Sequence, residues 1–210
     1  MDRHQRDRRV STLNSRPLLY CITGGWGAAA LSRIREAALA GVDLIQIREK
    51  AMPARDLFDL CRRARLLMRG TSARLLVNDR WDIALAAGID GVHLPAAGLP
   101  AAALRLASPP GFIIGQSCHS TAEVNAAAGV DFCVLGPIFS TPSKLAFGPP
   151  LGLSALRHDF PHPVLALGGV NVENAAACLA AGAAGVAGIR LFVSTPTAPV
   201  TATVAQLQQL

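Results

Sequence analysis

Aromatic residues make up only 5% of this 210-residue chain, with two tryptophans and one tyrosine among them. A surface for single-stranded nucleic acid needs stacking rings interleaved with basic residues on the folded body, so that class of partner is excluded. Charged residues are also sparse, at 16%. No apolar run approaches the roughly 18 residues of a membrane span, which excludes a membrane-embedded protein. The five cysteines (Cys21, Cys61, Cys118, Cys133 and Cys178) are odd in number and show no CxxC spacing. They form neither a disulfide framework nor a zinc site and read as buried thiols of a cytoplasmic protein.

What the chain has is apolar substance. A hydrophobic fraction of 51% over 210 residues suits one domain with a full core. The first 16 residues, MDRHQRDRRVSTLNSR, carry five arginines and two aspartates and thus +3 of the net +6. No apolar segment follows their charged start, so they are no secretory signal. We expect a disordered basic leader over 1–16 and a folded domain over 17–210.

Within that domain short apolar runs alternate with helical patterns. Strands are expected at Leu18–Thr23, Leu44–Ile47, Leu75–Val77, Gly91–Leu94, Phe112–Ile114, Phe132–Leu135, Pro163–Leu167 and Gly185–Ile189. Helices are expected around Leu31, Ile34 and Leu39, around Leu57 to Met68, and over Trp81–Ala87, Ala101–Leu106, Ala122–Ala128, Val172–Ala181 and Val200–Leu210. AGVD at Ala40, AGID at Ala87, AGVD at Ala128 and AGAAG at Ala181 punctuate the chain, each glycine able to end a helix just before the next strand. Such alternation demands parallel pairing with right-handed crossovers. Eight units in this length describe a (β/α)₈ TIM barrel. An open doubly wound sheet would show GxGxxG after its first strand, which Gly24-Gly25-Trp26-Gly27 does not supply.

In such a barrel chemistry gathers where the strands end. The strand ends here carry Gln46, Arg48 and Lys50, then Asn78-Asp79, His93, Ser117 and His119, Thr141, Ser143 and Lys144, Gly168-Gly169, and Gly188-Ile189. Gln46, Arg48 and Lys50 share a face if the second strand persists that far; the alternative is a surface ion pair of Glu49 with Arg48 or Lys50. Asp79 suits either a Mg²⁺ ligand or a cap for the following helix. Ser140, Thr141, Ser143 and Lys144 suit an anionic ligand, or else form a solvated loop. The glycines after the seventh and eighth strands are either tight turns or a phosphate cradle, and their pairing favours phosphate. His119 either moves protons or packs beside a capping box in STAE; His93 reads as a core hydrogen-bonding group.

In order and spacing, LYCIT, QIREK, LVNDRWDIALAAGIDGVHL, IIGQSCHS, GPIFSTPSK, LALGGV and AAGVAGI resemble the thiamine phosphate synthase/TenI family of barrels from Leu18 onward. The resemblance implies a synthase that joins hydroxymethylpyrimidine diphosphate to a thiazole phosphate or thiazole carboxylate phosphate, with Mg²⁺ and loss of diphosphate. It implies that Gln46, Lys50 and nearby Arg48 hold the pyrimidine diphosphate, Asn78 touches the diphosphate and Asp79 binds Mg²⁺. Ser117 then faces the pyrimidine, Thr141 and Ser143 the thiazole phosphate, and Lys144 the diphosphate. Gly169, Gly188 and Ile189 cradle the thiazole phosphate. Lys50 and Lys144 carry the charge stabilisation.

The chain departs from that pattern in three places. HLPAAGLP puts Ala97 where a second metal-binding aspartate is expected, TGGW ends the first strand, and Arg190 stands where a small residue is expected. The TenI branch also lacks the metal aspartate and uses a histidine at the place of His119 to aromatise a thiazole tautomer without metal. The synthase is the first expectation, since more groups serve a diphosphate; a tautomerase and a non-catalytic barrel binding thiazole or thiamine phosphate are the alternatives. Partners are therefore phosphorylated small molecules, with neither nucleic acid nor membrane, and a homo-oligomer is compatible.

Overall fold

A computed structural model describes residues 16–141, 149–195 and 198–210. Eight strands form a closed parallel barrel in sequential order: β1 Leu18–Ile22, β2 Leu44–Ile47, β3 Arg74–Asn78, β4 Gly91–Leu94, β5 Ile113–Cys118, β6 Phe132–Leu135, β7 Val164–Ala166 and β8 Gly185–Gly188. The helices are α1 Ala30–Ala40, α2 Ala54–Leu67, α3 Trp81–Ala87, α4 Ala101–Ala107, α5 Thr121–Ala126, α6 Ala175–Ala180 and α7 Val200–Leu207. Among the described residues the crossover after β6 contains a 3-10 turn at Leu153–Leu156 and no α-helix. The expected leader lies, through residue 15, outside the described residues.

Alternation along the strands divides the core into two apolar bodies. One fills the barrel with Leu18, Tyr20, Ile22, Leu76, Phe132, Val134 and Leu165; the other lies between strands and helices. The barrel interior is crowded. A Cβ on Gly115 would sit 2.4 Å from the Phe132 ring and 2.7 Å from His93 Nδ1, so β5 can pass only as bare backbone. The five cysteines are free and buried, as expected.

Some boundaries differ from expectation. β5 begins at Ile113 and runs on through Gly115, Gln116 and Ser117 to Cys118, because pairing with β6 from Gly115–Phe132 to Cys118–Leu135 continues past the apolar run. Leu39, expected on the buried side of α1, is 66% exposed, while Ile34, Ala37 and Ala38 do the packing. α6 is shorter than Val172–Ala181, since Asn171 and Asn174 exchange backbone-to-side-chain hydrogen bonds ahead of it.

The AGxD repeat does more than end helices. Gly41 closes α1 at φ 94°, a conformation that a Cβ resists. Two residues later Asp43 accepts the Leu19 N–H of β1 at 2.9 Å and a forked pair from Arg16. Asp90 accepts from Leu75 N of β3, with Arg74 beside it, and Asp131 from Ile114 N of β5, with Arg105 beside it. Thus three aspartates before even-numbered strands clamp the preceding strand at the rim where strands begin. Ala184 stands in the fourth repeat, where no carboxylate is available. Arg16, placed by the sequence in the leader, is therefore anchored to the barrel.

The Asp43 side chain is 4% exposed, whereas the Arg74–Asp90 pair is 62% and 35% exposed. Asp43→Ala orphans a buried N–H and a half-buried guanidinium, so urea denaturation should show a loss of about 2–3 kcal/mol. Arg74→Ala should cost less than about 1 kcal/mol by the same measurement.

Candidate active site

The strand ends opposite those clamps gather the polar residues. β2 ends at Ile47, so the strand alternation does not reach Lys50, which stands in a turn. Gln46 still points into the barrel, is buried, and donates through Nε2 to the Tyr20 hydroxyl at 2.9 Å. Arg48 and Lys50 come together by another route: both line a cavity of about 510 Å³, with Gly25, Glu49 and Asp56 on its wall. Arg48 also lies close enough to His93 for its charge to press that ring toward the neutral form.

Glu49 pairs with neither cation among the described residues, contrary to the alternative reading of this segment. Its Oε1 accepts from Thr23 Oγ1 at 2.8 Å and from the Trp26 N–H at 3.3 Å. Thr23 Oγ1 in turn accepts the Arg48 N–H at 2.8 Å. The unusual TGGW ending is thereby wired to the β2 loop. Glu49 is thus engaged by the scaffold and not by Arg48 or Lys50.

Asp79 follows β3 at the same rim. It is the one described non-glycine residue with positive φ, 63°. Such a conformation costs about 1–3 kcal/mol, persists where the surroundings impose it, and gathers at functional sites. Here the Asp79 N–H donates to His93 O, and its carbonyl accepts from Trp81 N. The helix-cap reading fails: the N-cap of α3 is Arg80, without a side-chain cap bond. The Asp79 carboxylate accepts no hydrogen bond from any described residue and is exposed. Asn78 ends β3, half-buried, opposite His93 of β4.

Ser117 lies inside β5, not beyond it, and its hydroxyl meets His93 Nε2 at 2.9 Å. His119 is exposed at the rim. Its Nδ1 is 2.9 Å from the Gly136 carbonyl, which can only accept, so Nδ1 carries the proton and Nε2 keeps a lone pair when the ring is neutral. Ser120 does cap α5 by accepting the Glu123 N–H, while Glu123 takes the His119 N–H, as the STAE reading expected.

Thr141 is buried just past β6. Ser143 and Lys144 lie outside the described residues. Gly168 and Gly169, at φ 93° and 66°, turn the chain tightly after β7. A Cβ on Gly169 would meet Phe139 Cβ and Ser140 O, both at 2.7 Å, so bare backbone is required there. Asn174 Nδ2 donates to Gly169 O at 3.0 Å and fixes that peptide, a contact the sequence did not announce. Gly188 is buried at the end of β8, and Ile189 covers Gly24, whose Cβ would lie 2.6 Å from Ile189 Cγ2. Arg190 is exposed beside them.

The described residues contain no cluster of three His, Cys, Asp or Glu able to hold a metal by themselves. The donor set nevertheless suits Mg²⁺, which retains waters and uses one or two carboxylates together with substrate phosphates. A single exposed carboxylate that accepts no hydrogen bond from any described residue is that kind of incomplete site.

Fold and rim together define a (β/α)₈ barrel whose mouth is built for phosphorylated small molecules. A family profile described as thiamine monophosphate synthase matches residues 19–192. The chain is 44% identical over 183 residues to a thiamine-phosphate synthase of Methanoculleus marisnigri, covering 83% of this chain and 87% of that one. It is 41% identical over 174 residues to one of Moorella thermoacetica, covering 80% and 83%. A solved thiamine phosphate pyrophosphorylase of Pyrococcus furiosus superposes with a TM-score of 0.81 at 30% identity, covering 94% of this chain and 98% of that one. The chain belongs to the thiamine monophosphate synthase family.

Gly169→Ala should weaken binding of inorganic phosphate at least about fivefold in calorimetry and lower stability by about 1–3 kcal/mol, since the added methyl meets backbone in a left-handed turn. Gly70 has φ 85° and open space around it. Gly70→Ala should cost only about 1 kcal/mol and leave phosphate binding unchanged.

Proposed function

We propose that this protein is a thiamine-phosphate synthase. It joins hydroxymethylpyrimidine diphosphate to a thiazole phosphate, or to a thiazole carboxylate phosphate, and releases diphosphate, with the carboxylate of the second substrate leaving as CO₂. The carbon–oxygen bond to the diphosphate breaks, and a bond from that carbon to the thiazole nitrogen forms. Arg48, Lys50 and Lys144 hold the diphosphate and offset the charge that grows on it as it leaves. Gln46 and Ser117 hold the pyrimidine ring. Thr141, Ser143 and the glycines at 169 and 188, with Ile189, hold the thiazole phosphate beside it, so the departing group is replaced without diffusion. Asn78 and Asp79 would hold Mg²⁺ and the diphosphate together; when bound, the ion neutralises phosphate oxygens. The free buried thiols, and the lack of any described helix long and apolar enough to cross a membrane, suit action in the cytoplasm.

Asp79 carries this reading. A rim carboxylate that accepts no hydrogen bond from any described residue, held in a costly backbone conformation, suits a metal-bound diphosphate. It serves nothing in a metal-free proton transfer. A second reading has one observation in its favour: His119, with Nδ1–H held on Gly136 O, presents a basic Nε2 at the rim, which suits a thiazole tautomerase.

Both substrates with Mg²⁺ should yield thiamine phosphate, and the thiazole tautomer alone should not be aromatised. The reverse result establishes the tautomerase. Lys144→Ala should bring coupling below about 1% of the parent rate; near-normal turnover removes the diphosphate role assigned to it. Asp79→Asn tolerates the left-handed turn, so stability should stay within about 0.5 kcal/mol while Mg²⁺-dependent coupling collapses. His119→Ala should leave coupling within about threefold, where a tautomerase would lose about 10²–10⁴-fold.

A further inference from the structure

Inside the barrel, His93 makes a contact that the proposed chemistry leaves unexplained. It points inward from β4, is 3% exposed, and sits against Tyr20 and Phe132, with ring centroids 5.6 and 5.9 Å away. One ring nitrogen, Nε2, meets Ser117 Oγ at 2.9 Å. The other, Nδ1, is buried with no hydrogen-bond partner among the described residues. It faces the bare backbone at Gly115, where even a Cβ would come within 2.7 Å.

Burial and the lack of any described partner for Nδ1 leave no place for a second proton on the ring, so it carries one N–H. On Nδ1 that proton would be a buried donor with nothing to accept it, a serious defect. On Nε2 it donates to Ser117 Oγ, and only a bare lone pair is left facing Gly115. The Nε2–H tautomer is therefore the satisfied one. Ser117 Oγ then acts as acceptor toward His93, and its own proton must be given elsewhere. No described residue accepts it. Ser117 is half-buried on the last turn of alternation of β5, two residues before the exposed His119 at the rim.

We propose that His93 is a positioning residue whose Nε2–H locks Ser117 as a hydrogen-bond donor to an unprotonated ring nitrogen of the pyrimidine substrate. This rests on the synthase reading of the mouth. A hydroxyl free to rotate would serve donor and acceptor ligands alike. A hydroxyl whose lone pair is already taken selects a ligand with an acceptor at that place. Pyrimidine ring nitrogens are acceptors, and an analogue carrying C–H there would leave the Ser117 proton unpaired.

Two measurements on the full chain test the assignment. Proton–nitrogen correlation NMR should show His93 with a protonated Nε2 and a bare Nδ1, the signals assigned by their loss in His93→Gln. Calorimetry with hydroxymethylpyrimidine diphosphate and Mg²⁺ should show about tenfold weaker binding for His93→Met and for Ser117→Ala. The His93→Met/Ser117→Ala double variant should bind no more weakly than Ser117→Ala alone. His93→Gln places an amide N–H near the lost Nε2 and should stay within about threefold of the parent. Thiazole phosphate binding should be unchanged in all of them. A protonated Nδ1, parental binding by His93→Met, or additive losses in the double variant overturns the inference while the synthase reading stands. Failure of the parent protein to bind the pyrimidine diphosphate overturns that reading, and the inference with it. Ser117→Ala and the NMR readout keep the test decisive even where His93→Met folds poorly.

Discussion

Closing eight parallel strands into a ring leaves every strand with its carboxyl end on the same rim. That single constraint makes neighbours of residues far apart in the chain. Thr23 and Glu49, or His93 and Ser117, meet because β1 lies beside β2 and β4 beside β5; His93 pairs with Gly115, so Ser117 stands two residues further along the same face. The two rims then divide the work. At one, Asp43, Asp90 and Asp131 are fully occupied with backbone N–H groups and arginines and hold adjacent strands together. At the other, the side chains of Asp79, Arg48 and Lys50 make no hydrogen bond or ion pair among the described residues. Carboxylates are few in this chain, and the fold has already satisfied those at the first rim.

The mouth is correspondingly the strained end of the molecule. Asp79 holds a positive φ, and Gly168 and Gly169 turn where no Cβ would fit. His93 keeps a buried nitrogen without a hydrogen-bond partner among the described residues. None of these helps the barrel stand. Each is tolerated because the two apolar bodies and the clamps at the opposite rim supply the stability, which is how active sites on rigid barrels generally persist.

Much of the architecture was legible from the residues. β2, β4, β6 and α3 stand where the apolar runs and their breakers put them, since a short buried strand ended by a polar pair or glycine has few other readings. The apolar run alone predicts a β5 that stops at Ile114, because Gly115, Gln116 and Ser117 dilute its apolar character; pairing with β6 extends it. The face-sharing of Gln46, Arg48 and Lys50 failed because β2 ends at Ile47; a shared cavity, not a pleat, unites Arg48 with Lys50. The choice at Asp79 between cap and free carboxylate could not be made from a dipeptide, because it turns on one backbone angle. Partnerships such as His93 with Ser117, or Asn174 with Gly169, depend on register and loop geometry that no local pattern carries.

The proposed synthase requires that the rim beyond β2 and β3 hold a metal-bound diphosphate through one protein carboxylate. A crystal structure with hydroxymethylpyrimidine diphosphate and Mg²⁺ tests it most directly. A cation is expected on Asp79, completed by phosphate oxygens and waters, with Arg48 and Lys50 on the same diphosphate and Glu49 still bound to Thr23. A cation drawn to Glu49, or a diphosphate seated away from Asp79, would contradict it.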